Sequence, residues 1–398
     1  MLAKYAKYIE AAAQLVSFDK FAEIATEPAK KEHLIRHALM PDPVKKPDKH
    51  TSPAAHLRAE MRIVPFDYRA NEFEDFCQWC ASEEPFAWRL VHGDSGRGKS
   101  RLLIELCVHH NGHKTGTHWI AGFINVDMFR EDQTAFELLF ETNKPLLIVL
   151  DYAERQSEIV TQLLKRSYER SRNHPDRITR IVLISRRSTD VWDKIFREDN
   201  VLHSLNRSLL AEFHLKPVMT GTDVKAVFSD GFNAFSRHFA TAPTMPEFDF
   251  STLTSKGQTL DIGLVHMLAL LAVKAPDELN WQTNARPTQD ELLQFMLHRE
   301  IRFWQKTAHD LGLPPELRTQ EVLAEAAALL TFAAQQGAIV DAPQARRVLR
   351  GGTLLKDQTE ARLDLIASVF RQTYPGPGYA NGVAPDLLGD FLIQQQWD

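Results

Sequence analysis

Two kinds of apolar pattern divide this chain. In the first half, apolar residues come in short unbroken runs: Leu90-Val91, Trp119 to Val126, Leu146 to Leu150 and Ile181 to Ile184, with Phe213 to Val218 as a weaker fifth. An unbroken run is what a parallel strand covered on both faces needs. Between the runs the spacing changes to that of helices, with Leu102, Leu103, Leu106 and Cys107 after the first, Asp132 to Phe140 before the third, and Ile159, Val160, Leu163 and Leu164 within Gln156 to Ser171. Strands alternating with helices predict an α/β fold, a parallel sheet flanked by helices. A further helix carrying Phe73, Phe76, Cys77 and Cys80 precedes the first strand.

From Thr222 onward only the helical period remains. Val224, Phe228, Phe232, Phe235 and Phe239 make one stripe, Leu260 to Val273 a very apolar helix, and Gln289 to Thr307 a third. Shorter helices follow at 321–335, 342–349, 360–374 and 386–395, separated by Gly and Pro. The expected order is therefore an N-terminal helical segment (1–40), a Pro/Lys-rich linker (41–58), the sheet domain (59–220), a helical lid (221–310) and a small helical or winged-helix domain (311–398). The linker assignment rests on Pro41, Pro43, Pro47 and Pro53 interleaved with lysines, a composition that stays extended and solvated.

The chemistry concentrates at strand ends. After the first strand, Gly93-Asp94-Ser95-Gly96-Arg97-Gly98-Lys99-Ser100 matches G-x-x-x-x-G-K-[ST] at every fixed position. Glycines let successive backbone N–H groups turn toward phosphates, Lys99 reaches the β- and γ-phosphates, and the Ser100 hydroxyl sits on Mg²⁺. The third strand ends in Asp151, placed to hold the same metal through water. Together the two form the Walker A and Walker B pair of a P-loop NTPase. Glu154, three residues on, either orients the attacking water or simply favours the positive end of a helix; both readings stand. The fourth strand ends in Ser185-Arg186-Arg187, where an arginine can report the γ-phosphate, Arg186 before Arg187.

Composition changes this picture little. Of 398 residues, 44% are hydrophobic and 25% charged, and the net charge of -5 supplies no global attraction to nucleic acid or membrane. Basic residues do cluster at Lys165, Arg166, Arg170, Arg172, Arg177 and Arg180, which reads as a solvated helix face, with nucleic-acid contact as the alternative. Cys77, Cys80 and Cys107 cannot build a disulfide framework, and Cys77-x-x-Cys80 lacks the second ligand pair that zinc needs, so core packing is expected. His109, His110, His113 and His118 suit the negative end of a helix better than a metal. No apolar run reaches the ~20 residues of a membrane span, and a cytoplasmic setting is expected.

Placed in order, these pieces resemble the STAND class of P-loop NTPases, the NACHT and NB-ARC modules, in a bacterial form and over about residues 55–395. Val64 to Glu72 is similar to the segment those proteins set near adenine, with Arg69 as its arginine and Tyr68 where they carry glycine. Leu150-Asp151-Tyr152-Ala153-Glu154 resembles the NACHT form of Walker B, and Ser185-Arg186 the sensor pair. His298 to Trp304 and Pro385 to Asp390 also resemble segments of bacterial members. The resemblance implies a signalling or defence module that binds ATP or ADP with Mg²⁺, hydrolyses slowly, and changes conformation and oligomeric state with its nucleotide. It implies protein partners or further copies of the chain, and no membrane. Two other readings stay open: an AAA-type ATPase acting on nucleic acid, and a nucleotide-locked scaffold without turnover. A GTPase is disfavoured because no Asn-Lys-x-Asp follows a strand.

Overall fold

Buried strands order the first half of the molecule. In the computed structural model the described residues are Ile35, Ala38, Leu39, Phe129, Phe250 and the segments 51–112, 119–126, 133–186, 212–217, 221–246, 261–276, 288–337, 339–374 and 378–397. Among them β1 (Phe86–His92), β2 (Ile120–Phe123), β3 (Leu146–Leu150), β4 (Thr179–Ser185) and β5 (Glu212–His214) form one sheet in the order β2-β3-β4-β1-β5. Every pairing is parallel, and Leu90, Leu183 and Leu150 lie abreast across β1, β4 and β3. All positions of β3 and β4 are buried, as their unbroken apolar runs require.

Alternate residues of these strands serve opposite faces. Val91, Leu147, Val149, Val182 and Ile184 pack with Phe76 and Cys80 of α1 (Ala70–Cys80) and Leu102, Leu103 and Leu106 of α2 (Lys99–Asn111). Leu90, Ile148, Leu150, Ile181 and Leu183 pack with Leu139 of α3 (Gln133–Glu141) and Leu163 and Leu164 of α4 (Ser157–Asn173). Ile35, Ala38 and Leu39 join this second face. Leu39 approaches so closely that a Cβ on Gly122 would stand 2.0 Å from its carbonyl oxygen. The remainder of the 1–40 segment lies outside the described residues.

The second half is helical: α5 (Gly221–His238), α6 (Ile262–Lys274), α7 (Gln289–Asp310), α8 (Gln320–Gln336), α9 (Ala342–Leu349), α10 (Glu360–Thr373) and α11 (Asp386–Trp397). One hydrophobic cluster runs through all of them, from Val224 to Leu392, so the boundary expected at 310 does not divide the core. An isolated antiparallel bridge, Ile339 to Ala380, is the β-structure found here among the described residues. None of the described helices is long and apolar enough to cross a membrane.

Three expectations are corrected. Residues 51–58 are not an extended, solvated linker: Ala54 and Ala55 are fully buried in the helical core. The cause is Glu300, buried on α7, which accepts hydrogen bonds from Ser52, Tyr374 and the Ala54 N–H. Of the strand expected over 212–218, β5 takes up 212–214; the Leu215 N–H still donates to the His92 carbonyl at 2.9 Å, Pro217 has no N–H to carry the ladder on, and residue 218 lies outside the described residues.

The third correction concerns the basic stretch. Arg170 and Arg180 are 4% and 0% exposed, not a solvated face. Arg180 donates to the carbonyls of Trp79, Ser82, Glu84 and Thr179, at 2.7 to 3.2 Å. Arg170 does the same for Phe140, Thr142, Lys144, Arg177 and Ile178. Both guanidiniums satisfy chain-reversal carbonyls at the sheet's N-terminal edge, so their role is structural. Arg180→Met should cost about 3 kcal/mol, since several buried acceptors lose their donor at once; a thermal unfolding curve reads this, and an unchanged midpoint would contradict it.

Candidate functional site

The C-terminal ends of β1, β4 and β3 stand level, and Lys99, Ser100, Asp151 and Arg186 follow them in the chain. Although β4 lies between the other two strands, Asp151 at the end of β3 still reaches the loop, where its carboxylate meets Ser100. In the loop, Gly96 and Gly98 hold φ of +85° and +87°, a region where a side chain would be strained. These turns aim the chain so that α2 begins at Lys99.

Lys99 is buried, and its Nζ donates to the carbonyls of Gly93 (2.6 Å) and Asp94 (2.9 Å). Burial holds its pKa below the usual lysine value, while Asp151 and Asp386 pull the other way. A phosphate competes for the same ammonium and satisfies it better, through charge-assisted contacts. Ser100 Oγ donates to Asp151 Oδ2 at 2.8 Å, and the Tyr152 N–H to Oδ1 at 2.9 Å. These two oxygen donors suit Mg²⁺, which takes one or two protein ligands and fills its octahedron with phosphates and water.

Burial pushes the Asp151 carboxyl up to about 6, with Asp386 adding to the shift and the Ser100 hydroxyl, the Tyr152 N–H and Lys99 opposing it. Because this pKa is raised on folding, the folded state holds the extra proton. The associated stability is complete below about pH 4, the unfolded value, and is lost as pH rises through about 6. Mg²⁺ needs the ionised form, so metal-dependent nucleotide binding should have the opposite slope and weaken as pH falls from 7 to 5. Titration calorimetry over that range checks it, and Asp151→Asn should remove both trends.

Arg186 reaches the start of α11. Its Nη1 donates to Asp390 Oδ1 at 2.6 Å, its Nη2 pairs with Asp386 at 3.1 Å, and its guanidinium lies 5.2 Å from the Tyr152 ring centre. Burial lowers its pKa, yet Asp386, Tyr152 and Asp390 together more than reverse this, so it stays charged. Asp390 also accepts from Ser95 Oγ (2.8 Å) and Gln335 Nε2 (2.9 Å), and Tyr152 donates to Asp386. The acidic first turns of α11 thus seat on both Ser95 of the loop and Arg186.

Arg69, predicted near the base, is buried; it pairs with Glu72 and donates to the Arg97 carbonyl at 2.9 Å, bracing the loop from behind. Arg97 pairs with Asp94 and lies 3.5 Å from Asp261, the residue before α6. There the Gly263 N–H donates to the Gly96 carbonyl at 2.9 Å, docking the lid helix on the loop.

These elements enclose a cavity of about 400 Å³. Ser95, Gly96, Gly98, Lys99, Ser100, Asp151, Arg186 and Arg69 line it, and Asp386 and Leu387 close it. Gly93, Asp94, Arg97 and Glu154 do not line it. Glu154 Oε1 accepts from the Arg186 N–H at 3.4 Å and Oε2 is shielded without a partner, so in this arrangement Glu154 supports the end of β4. Arg187 lies outside the described residues.

Sequence reasoning gave no role to Asp386, Asp390, Gln335 or Tyr152. The local signal for the first two is an i,i+4 acidic pair on one helix face. Of the other candidates, Cys80 and Cys107 are core residues, with burial pushing the Cys80 thiol up to about 12. His110 is buried against Trp119. Histidines 113 and 118 lie outside the described residues.

No family model matches this chain, and no curated protein matches it. Among solved structures it is similar to Cdc6p from Pyrobaculum aerophilum (14% identity, 84% of this chain and 97% of that one, TM-score 0.36). It is similar also to domain III of the replication initiation protein DnaA from Thermotoga maritima (13%, 64% and 98%, TM-score 0.36). A third is the Orc1 protein of Aeropyrum pernix in complex with DNA (13%, 86% and 96%, TM-score 0.41).

Proposed function

We propose that the chain is an ATP-binding, slowly hydrolysing switch module of a STAND-type signalling or defence protein, whose nucleotide state sets its conformation and assembly. The observation that carries this reading is the seat of α11: Asp390 holds Ser95 and Arg186 across more than 200 residues of chain, and Asp386 holds Arg186 again. In this reading Lys99 and the loop backbone from Gly93 to Ser100 bind the phosphates, and Ser100 and Asp151 hold Mg²⁺. Arg186 senses the γ-phosphate, and Glu154 assists from behind. A γ-phosphate and the two aspartates are all anions seeking one guanidinium, so nucleotide binds the closed and open arrangements unequally, which is what a switch needs. Partners are then other protein surfaces, including further copies of the chain.

The test is to identify the nucleotide that copurifies, replace it with a non-hydrolysable ATP analogue, and measure particle mass. A larger particle with the analogue supports the switch; bound nucleotide with no change of mass supports the locked scaffold.

An AAA-type ATPase acting on nucleic acid is the second reading. Lys165, Arg166, Arg172 and Arg177 remain at or near the surface once Arg170 and Arg180 are removed from the basic stretch, although Arg166 pairs with Glu137. Salt-sensitive DNA binding that stimulates hydrolysis would favour it.

A further inference from the structure

The α6 helix that docks on the phosphate loop carries a histidine one turn further on, His266, which also lines the cavity. The lining of the same cavity includes an apolar group, Ile63, Val64, Pro65, Phe235 and Ile262. Several of the other polar side chains lining the cavity are already engaged. His56 pairs with His238 at 3.1 Å, Tyr68 with Asp230, Arg101 with the Val64 carbonyl at 2.8 Å and with Glu105, and Asn381 with the Tyr374 carbonyl.

The two nitrogens of His266 differ. Nε2 is sealed from solvent and has no hydrogen-bond partner, whereas Nδ1 is not sealed, and the ring edge beside Nε2 packs toward Gly231 of α5. An unpaired buried lone pair is tolerated better than an unpaired buried N–H, so the neutral ring carries its proton on Nδ1. The ring is neutral at physiological pH, since burial, with Arg101 adding to it and Asp230 opposing, brings its pKa down to about 4.

We infer that His266 is the base-reading residue of this site, donating from Nδ1 to a ring-nitrogen acceptor of a purine base. This rests on the nucleotide-binding reading above and adds to it the residue that contacts the base. A donor on an apolar wall matches the N1, N3 and N7 acceptors of a purine, and the same wall supplies the flat contact its rings need.

The test compares ATP with its 1-deaza, 3-deaza and 7-deaza analogues, each lacking one acceptor, on the full chain by titration calorimetry. One analogue should bind three- to tenfold more weakly than ATP, the range of a single neutral hydrogen bond, and His266→Leu should bind that analogue and ATP equally. His266→Gln, which keeps a donor, should restore part of the discrimination, and melting curves of both variants establish that they fold. No penalty for any analogue, or a penalty that persists in a folded His266→Leu, would overturn the assignment. Lys99→Ala separates the two levels: if it binds ATP unchanged, the nucleotide site itself is wrong, whereas loss of binding there with unaltered ranking in His266→Leu removes only the histidine's role.

Discussion

Lys99→Ala should abolish measurable nucleotide binding, weakening it more than 100-fold. The ammonium is buried at the mouth of the loop, with two backbone carbonyls as its present acceptors. A phosphate replaces them with charged oxygens, and hydrogen bonds between charged groups contribute about 1.5–3 kcal/mol each. Losing two such contacts costs about 3 kcal/mol or more, which exceeds the hundredfold mark. The folded chain should survive the change, because Lys99 heads a helix and alanine there is a good helix former. Equilibrium dialysis with labelled ATP gives the answer, and near-native affinity in a folded variant would remove the assignment of the loop.

The second large effect is expected from Asp386→Ala combined with Asp390→Ala. These carboxylates hold Arg186 and Ser95, and both are partly open to water, with side chains 50% and 34% exposed, so their contacts are weaker than buried ion pairs. Releasing them costs the closed arrangement about 1–2 kcal/mol and frees Arg186 for the γ-phosphate. The double variant should therefore bind ATP five- to thirtyfold more tightly relative to ADP than the natural chain does. Asp390→Asn alone should give part of this change, because it keeps a hydrogen-bond acceptor while losing the charge. An unchanged ATP-to-ADP preference in the double variant would mean that α11 seats on the loop without sensing its occupant.

What could be read from the chain alone follows from the range of each interaction. Lys99, Ser100 and Asp151 meet at one cavity because each is placed by a short motif at a strand end, and the parallel sheet brings those ends level. The sheet itself was legible for the same reason, each strand being a local apolar run. Asp386 and Asp390 were not, since the partners that tie them to the sheet domain, Ser95, Tyr152 and Arg186, are far away in the chain and nothing in the sequence of a short helix names them.

Burial of charge was misread for a different reason. Arg170 and Arg180 sit in a stretch whose composition suits solvent, and only folding reveals a rim of strand-edge carbonyls that satisfies each guanidinium. Likewise Pro53 and the lysines before it point to an extended linker, while Ser52 and Ala54 are drawn in by Glu300, whose acceptor capacity is filled from two separate segments, 52–54 and Tyr374. Glu154 carried two readings, and its contact with the Arg186 N–H places it behind the cavity rather than in it.

In the proposed switch, a triphosphate and α11 compete for Arg186. Amide hydrogen exchange across 386–397, recorded with ADP and then with a non-hydrolysable ATP analogue, tests it most directly. Protection of that helix should fall with the analogue and stay high with ADP, and the difference should vanish in Arg186→Ala. Equal protection with both nucleotides, each shown to be bound, would contradict the account.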